Sequence, residues 1–456
     1  QPGSSDSDID APQGWEIYTG GDEVIVAVVD TGVDYRHRDL VNNMWSDENG
    51  YHGYDYVNND NEPMDDYGHG THCAGVIAAE RGNGIDIAGV CGNAEIMAVK
   101  WLNAYGYGDM ADAAEAIYYA VDNGADVISC SWGDDEYLQS VQDAIDYAYS
   151  QGVVVIASAG NSNSDVPQYP ADYDHVISVA ATDSNDDKAE FSNYGSWVDI
   201  AAPGIDILSL RCEVYALGMI YDNYTTILSG TSMACPYVAG AAAMLLSIDP
   251  AITVDQLETH LEDSADAIDP NVYASGRMNL YNAIMSTVDS DGRILLDKDV
   301  YSCSGEVKIE LLDSDLAGNL TQKITMSTSS GDSERVILDE LSSAAGVFIG
   351  SVTIDSQMIT ANDGLLQVSD GDIITAAYET VTDTAEVDCQ LAVVSNVQID
   401  ASGPMVMVTF DTDKPTRGKV RMGMTCGEYL IIATDPAIRT SHQVELRFLE
   451  PQTKYY

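Results

Sequence analysis

Basic residues are what this chain has least of: 19 lysines and arginines stand against 74 aspartates and glutamates in 456 residues, a formal net charge of −55. Gripping a phosphate backbone takes a cationic face that displaces counterions, so a surface this acidic excludes a nucleic-acid partner. It favours solubility, saline surroundings and bound cations instead. Runs of about eighteen or more apolar residues are absent, which excludes a segment built to span a membrane as a helix. The opening Gln1-Pro2-Gly3-Ser4-Ser5 is polar and unlike a secretory leader. Cysteine is scarce too, at eight residues, too few for a disulfide scaffold of this length, and no Cys–His spacing of the zinc-binding kind occurs. Cys73, Cys91, Cys130 and Cys235 fall in apolar segments, where a thiol serves as a small hydrophobe. Cys212 and Cys426 have no evident partner. Cys303 and Cys389 bracket one β-rich segment and are the pair expected to bridge, at a gain of about 4 to 5 kcal/mol on a chain-entropy argument.

The length exceeds one ordinary domain and allows a large core with smaller units beside it. Apolar strands at 24–29, 95–99, 127–130, 153–157 and 176–180 alternate with helical spacing at 71–79, 111–121 and 138–149, and a helical stretch at 277–285 follows. That alternation predicts an α/β fold, a mostly parallel sheet with helices on both faces. After residue 292 the pattern changes to period two with turn residues between, as in 307–311, 322–326 and 347–352, which predicts all-β sandwich domains. The expected units are 1–292, 293–391 and 392–456.

Three segments carry chemistry. Gly230-Thr231-Ser232-Met233-Ala234 sets a serine hydroxyl at the mouth of an apolar helix, where unpaired backbone N–H groups face a developing oxyanion. The run 24–29 ends in Asp30-Thr31-Gly32, an aspartate closing a buried strand, and Gly68-His69-Gly70-Thr71-His72 places a histidine at a helix start. A serine hydroxyl is a weak nucleophile at neutral pH and needs a base, and the base needs a carboxylate to fix its tautomer. Taken singly each piece is commonplace, since aspartates close strands and Gly-Thr-Ser caps helices. His72, one turn beyond His69, reads as a buried histidine bonded to backbone.

With Ala157-Ser158-Ala159-Gly160-Asn161 as a fourth motif, the order and spacing over about residues 11–288 resemble the subtilisin-like serine proteases, and among them the thermitase-like members. One departure is Tyr237, where the family usually has histidine, outside the catalytic positions. The resemblance implies a triad of Asp30, His69 and Ser232, with Asn161 and the Ser232 N–H as oxyanion donors. It implies a substrate cleft with Ser131, Trp132 and Gly133 on one wall, Ser158, Ala159 and Gly160 on the other, and Gln168 near the floor, of broad specificity toward protein or peptide substrates. It also implies bound calcium: a first site from Asp39, Glu80, Asn83, Ile85 and Ile87, with Gln1 or Asp6 as an added ligand, and a second from Asp55, Asp60 and Glu62.

A processed, secreted chain is expected on the same ground. Residues 293–391 are expected to be immunoglobulin-like. Residues 446–456 resemble a motif from the middle of fibronectin type III domains, so the natural chain is expected to continue past Tyr456. These units would attach the enzyme to a surface or assembly, or act as spacers. Asn223-Tyr224-Thr225 and Asn319-Leu320-Thr321 fit the glycosylation pattern. Two other functions compete with a general endopeptidase: a maturation protease dedicated to one partner, and a structural or adhesive protein with an unused protease-like domain.

Overall fold

A strand buried on both faces needs an unbroken apolar run, and residues 25–30 supply one. They form β1 (Ile25–Asp30), of which the last five positions are buried. The computed structural model describes residues 7–18, 20, 24–213, 217–268, 275–287, 292–298, 300–342, 344, 346–356, 359–360, 362–389, 394–400, 406–422 and 431–446. Around β1 lie β2 (Gly53–Asp55), β3 (Glu95–Lys100), β4 (Val127–Cys130), β5 (Val154–Ser158), β6 (Val176–Thr182) and β7 (Ile200–Pro203), in the order β2-β3-β1-β4-β5-β6-β7. Every pairing is parallel. Strand addition reverses direction at β1, so its carboxyl end opens on the crevice where open α/β sheets hold their ligands.

Helices cover both faces. α1 (Ala11–Ile17), α2 (His69–Ala78), α5 (Thr231–Ile248), α6 (Val254–Asp263) and α7 (Leu280–Ser286) contribute to one core with Val26, Val28, Ile96 and Ile156, while α3 (Met110–Asp122) and α4 (Gln139–Ser150) pack on Ala27, Val29, Met97 and Ile128. The period-two split of β1 between the two cores is what a central strand requires. α5 is long and apolar enough to cross a bilayer, yet 14 of its 18 residues are buried inside the protein.

The strands expected at 24–29, 95–99, 127–130, 153–157 and 176–180 and the helices expected at 71–79, 111–121 and 138–149 appear to within a few residues as β1, β3 to β6 and α2 to α4, whereas β2, β7, α1 and α6 were not anticipated. α7 begins at Leu280 rather than 277 because Arg277 is held in bridges to Ala201 and Asp266, and Asn279 caps the helix by accepting from Asn282 N. Less legible was the antiparallel hairpin sheet of β8 (Ile207–Leu210), β9 (Met219–Ile220) and β10 (Thr225–Leu228) that leads into α5.

The remainder is β-sheet. A nine-stranded sheet holds β11 (Arg293–Leu296), β12 (Val300–Tyr301), β13 (Gly305–Leu312), β14 (Thr321–Thr328), β15 (Ser333–Glu340), β16 (Val347–Asp355), β17 (Leu365–Gln367), β18 (Ile373–Tyr378) and β19 (Val381–Val387), wrapped around one apolar core. Cys303 and Cys389 are joined as a disulfide across it. β20 (Val394–Asp400), β21 (Val406–Met422) and β22 (Ile431–Leu446) form a separate sheet. Cys73, Cys91, Cys130, Cys212 and Cys235 are buried free thiols. Cys426, Gln1, Asp6 and residues 447–456 of the fibronectin-like motif lie outside the described residues.

Candidate active site

Asp30 closes β1 with its carboxylate shielded from solvent, and His69 opens α2. The His69 Nδ1 lies 2.8 and 2.9 Å from the two Asp30 oxygens, and Thr31 N donates to Oδ1 at 2.7 Å. Burial pulls the His69 pKa down, but the Asp30 charge and hydrogen bond, with the charge of Asp65, leave it above the ordinary histidine value. The imidazole keeps 17% side-chain exposure while the Asp30 carboxylate has none, so the ring alone of the two faces the cleft.

Ser232 stands second in α5, where its own N–H precedes the helix hydrogen-bond ladder. Proline at position 236 has no N–H to give to the Ser232 carbonyl four residues back. Two other donors take it: Ser131 Oγ at 3.0 Å and Cys73 Sγ at 3.4 Å. Cys73 sits one turn past His69 in α2, and its sulfur lies within 4.8 Å of ligand atoms of both Asp30 and His69. The start of α5 is thereby tied to the Asp30–His69 pair and to the end of β4. Burial raises the Cys73 thiol well above its ordinary pKa, so it stays protonated as a donor.

Asn161 follows β5, and its Oδ1 accepts from Thr231 N at 2.9 Å and Thr231 Oγ1 at 3.1 Å. With the oxygen fixed on the helix start, the amide N–H groups are left as donors beside Gly230, whose added Cβ would lie 3.6 Å from both Asn161 Nδ2 and Ser232 N.

Gln168 lies between the two expected walls: a Cβ at Gly160 would collide with its Oε1, and one at Gly133 would lie 3.7 Å from it. Its Nε2 donates to Asp135 at 2.7 Å. Ser158 and Ala159 are buried, and Gly160 N donates to Thr231 Oγ1 at 3.1 Å. The Trp132 side chain turns away into the core, donating to Val29 O at 2.9 Å and packing edge-on against Trp101. His72 is buried with Nε2 3.0 Å from Ile207 O, and burial lowers its pKa to about 3, which matches a structural histidine. Tyr237 is partly buried against the core of α5.

Two residues of this region escaped the sequence reading. Lys100, at the end of β3, is buried with three bonds from Nζ: Thr31 O at 2.6 Å, Asp66 Oδ1 at 2.7 Å and Leu102 O at 2.7 Å. Asp65, fully buried four residues before His69, accepts from Thr31 Oγ1, Tyr67 N, Gly68 N, Thr71 N and Thr71 Oγ1. An acidic residue just ahead of a helix is the one signal that could have pointed to it.

In the first expected calcium set, Asp39 is bonded to Asn83 through its amide and to Ile87 and Glu80 through their backbone N–H groups. Asp39 is buried, its Oδ1 accepting from Asn83 Nδ2 at 2.5 Å, its Oδ2 from Ile87 N at 3.0 Å and its carbonyl from Glu80 N at 2.8 Å. Ile85 N donates to Asn83 Oδ1 at 3.0 Å. Burial pushes Asp39 up to about 6 with Asp86 and Glu80 adding to the rise, against the pull of the Asn83 and Ile87 bonds. A desolvated carboxylate beside other acids suits a hard cation, and a half-turn of the Asn83 amide would present its oxygen there. In the second set Asp55 and Asp60 exchange backbone N–H···O bonds at 2.8 and 3.1 Å. Asp55 is buried with its two oxygens accepting from Asn58 N and Nδ2 at 2.9 Å, and Asp60 Oδ1 accepts from Glu62 N. Among the described residues, groups of three His, Cys, Asp or Glu ligand atoms within 4.8 Å of one another are Asp30, His69 and Cys73, and Asp199, Glu258 and Glu262, and neither expected calcium set is among them. The Asp55 and Asp60 carboxylates accept from N–H groups of the same turn.

A family model described as the subtilase family matches residues 21–290. A thermophilic serine proteinase of Bacillus sp. (strain AK1) is 43% identical over 272 residues, which are 59% of this chain and 64% of that protein. Thermitase of Thermoactinomyces vulgaris is 42% identical over 282 residues, 60% of this chain and 93% of that protein. A solved structure of proteases from Pseudoalteromonas arctica superposes with a TM-score of 0.56 at 30% identity, covering 62% of this chain and 95% of that one. All three likenesses take in more than half of the chain, and with a family match running unbroken through β1, α2 and α5 they settle its kinship: this chain belongs to the subtilases, the subtilisin-like serine protease family.

Proposed function

We propose that this protein is a secreted endopeptidase that hydrolyses peptide bonds through an acyl-enzyme on Ser232. The observation that carries the reading is the Asp30–His69 couple at 2.8 Å, tied through Cys73 to the backbone of a serine at a helix start. Asp30 holds the proton on His69 Nδ1, so Nε2 is the basic nitrogen. As the Ser232 oxygen attacks the substrate carbonyl carbon, Nε2 takes the hydroxyl proton, and the new oxyanion is received by the Ser232 N–H and the Asn161 amide. The carbon–nitrogen bond then breaks, with the imidazolium proton passing to the leaving amine. Water repeats the cycle on the ester: His69 accepts its proton, the oxygen adds to the acyl carbon, and Ser232 leaves with the proton returned.

The substrate is an extended polypeptide that gains affinity from main-chain hydrogen bonds along 131–133 and 158–160, which makes specificity broad. Gln168, reaching between Gly133 and Gly160, gives the pocket a polar floor. Calcium held at Asp39 and the 80–87 loop, by Asp39 and the Asn83 amide with backbone carbonyls of Glu80, Ile85 and Ile87, neutralises carboxylates and stabilises the fold. The units 293–391 and 392–456 are immunoglobulin-like and fibronectin-like modules that hold or space the catalytic unit 1–292. A peptide library digested by the wild-type chain should be cut at many sites, and cutting should vanish with a fluorophosphonate or with Ser232→Ala. A single cleaved site would favour a dedicated maturation protease. No cleavage by folded wild type would refute the hydrolase reading.

A further inference from the structure

Asp65 belongs to none of the catalytic or cation-binding groups assigned above, yet it is a fully buried carboxylate with five donors on two oxygens. The Thr31 hydroxyl accepts from Gly70 N at 3.0 Å and has its one proton to give to Asp65 Oδ1 at 2.9 Å. The Thr71 hydroxyl accepts from Asp34 N at 2.9 Å and has its one proton to give to Asp65 Oδ2 at 2.6 Å. Burial pushes the Asp65 pKa up, against the pull of the bonds from Thr71, Gly68 and Tyr67, and with three backbone N–H groups beside the two hydroxyls the ionised carboxylate is the form that satisfies every donor. The bonds span two elements: Thr31 directly follows Asp30 at the end of β1, and Gly68, Gly70 and Thr71 form the first turn of α2 around His69. The neighbouring Asp66 completes the grip by pairing with Lys100, which holds the Thr31 carbonyl.

We propose that Asp65 is a positioning residue for the hydrolytic reaction, an anion that fastens the strand end carrying Asp30 to the helix start carrying His69 and adds a second negative charge behind the imidazole. The inference rests on the endopeptidase reading. Its electrostatic part has a separate signature. The groups facing His69 are Asp30 and Asp65, with His72 and Cys73 beside it on α2, and Asp65 is the one whose charge contributes without touching the ring. Removing that charge makes the imidazolium less favourable, so His69 becomes neutral at lower pH. A residue that merely filled space would not move this titration.

The test compares wild type, Asp65→Asn, Thr31→Val and Thr31→Ser on a chromogenic peptide, with circular dichroism melts to confirm folding. Asp65→Asn should lower kcat by about 10- to 100-fold with KM changed less than about twofold, and shift the acid limb of kcat/KM down by about 0.5 to 1 pH unit. Thr31→Val, which cuts the link but keeps the charge, should lower kcat and leave the limb in place, and Thr31→Ser should restore it. A folded Asp65→Asn with the wild-type limb overturns the inference. Should Asp65→Asn fail to fold, the Thr31 pair decides, and wild-type kcat in Thr31→Val overturns it. A wild-type chain that leaves the peptide uncut overturns the endopeptidase reading itself, a different result from an active wild type whose limb is indifferent to Asp65.

Discussion

A base works only in its neutral form, so the protonation of His69 sets the lower edge of activity. Its pKa stands above the ordinary 6.5, because the Asp30 charge and bond outweigh burial. Activity should therefore rise with pH along a limb whose midpoint lies above 6.5, and a pH profile of kcat/KM for an unmodified peptide would show it. Asn161 offers a second test. Its oxygen is held by Thr231 N and Oγ1, so truncation removes a pre-aimed donor and releases the two Thr231 groups that aimed it. Asn161→Ala should lose about 2.7 to 4 kcal/mol of transition-state stabilisation, the magnitude known for the same kind of donor in subtilisin, a relative of this chain, and the loss should be seen in kcat with KM nearly unchanged. Asp30, His69, Asn161 and Ser232 were legible because each stands in a short motif of its own. Asp65 and Lys100 were not, since what they do depends on Thr31, which lies 34 and 69 positions away.

Elements bring those residues together, and small side chains decide how closely. α2 lies against the end of β1 at Gly70, where a Cβ would collide with the Gly32 carbonyl and stand 3.1 Å from Asp30 Cβ. Backbone cannot yield as a flexible side chain does. Gly70→Ala should therefore push α2 off β1, costing about 1 to 3 kcal/mol of stability by overpacking and lengthening the His69–Asp30 contact, so that melting temperature and kcat fall together. The 80–87 loop makes a different prediction, since a cation there stabilises by mass action and touches no catalytic group. Excess chelator should lower the melting temperature by about 5 to 10 °C against millimolar calcium, with kcat per folded molecule unchanged at low temperature; equal melting curves would remove calcium from this loop. The five central strands of the parallel sheet and the helices α2 to α4 were readable from periodicity, while its short edge strands β2 and β7 were not. The β8–β10 sheet was not, because β9 is two residues long with Met219 and Ile220 exposed, and so short an element has no period to show.

At the scale of the whole molecule, the β-rich segment is packed against the catalytic body. Leu312, Ala344 and Val347 join the same buried core as α1, α5 and α7, and Arg293 reaches back to Ile248 O and Asp249, each at 2.9 Å. Period-two patterning marked which residues of β13 and β16 are apolar but not which face meets the catalytic unit, because either face of a strand reads alike until its neighbour is known. Leu312 and Val347 lie opposite each other across β13 and β16 and belong to the catalytic unit's core, while Val307, Ile309 and Leu311 fill the sheet's own core. A shared core couples the stabilities of the two parts, which should then melt as one. Val347→Asp would bury a charge in an apolar core and should cost about 3 kcal/mol or more. If the units are coupled, loss of peptidase activity on heating should shift down with that variant even though Val347 is remote from Ser232 in sequence and lies in another sheet. A catalytic unit that keeps its wild-type inactivation temperature while the β-sheet signal melts early would show two independent bodies, and the β-rich segment would then be a passenger instead of a brace.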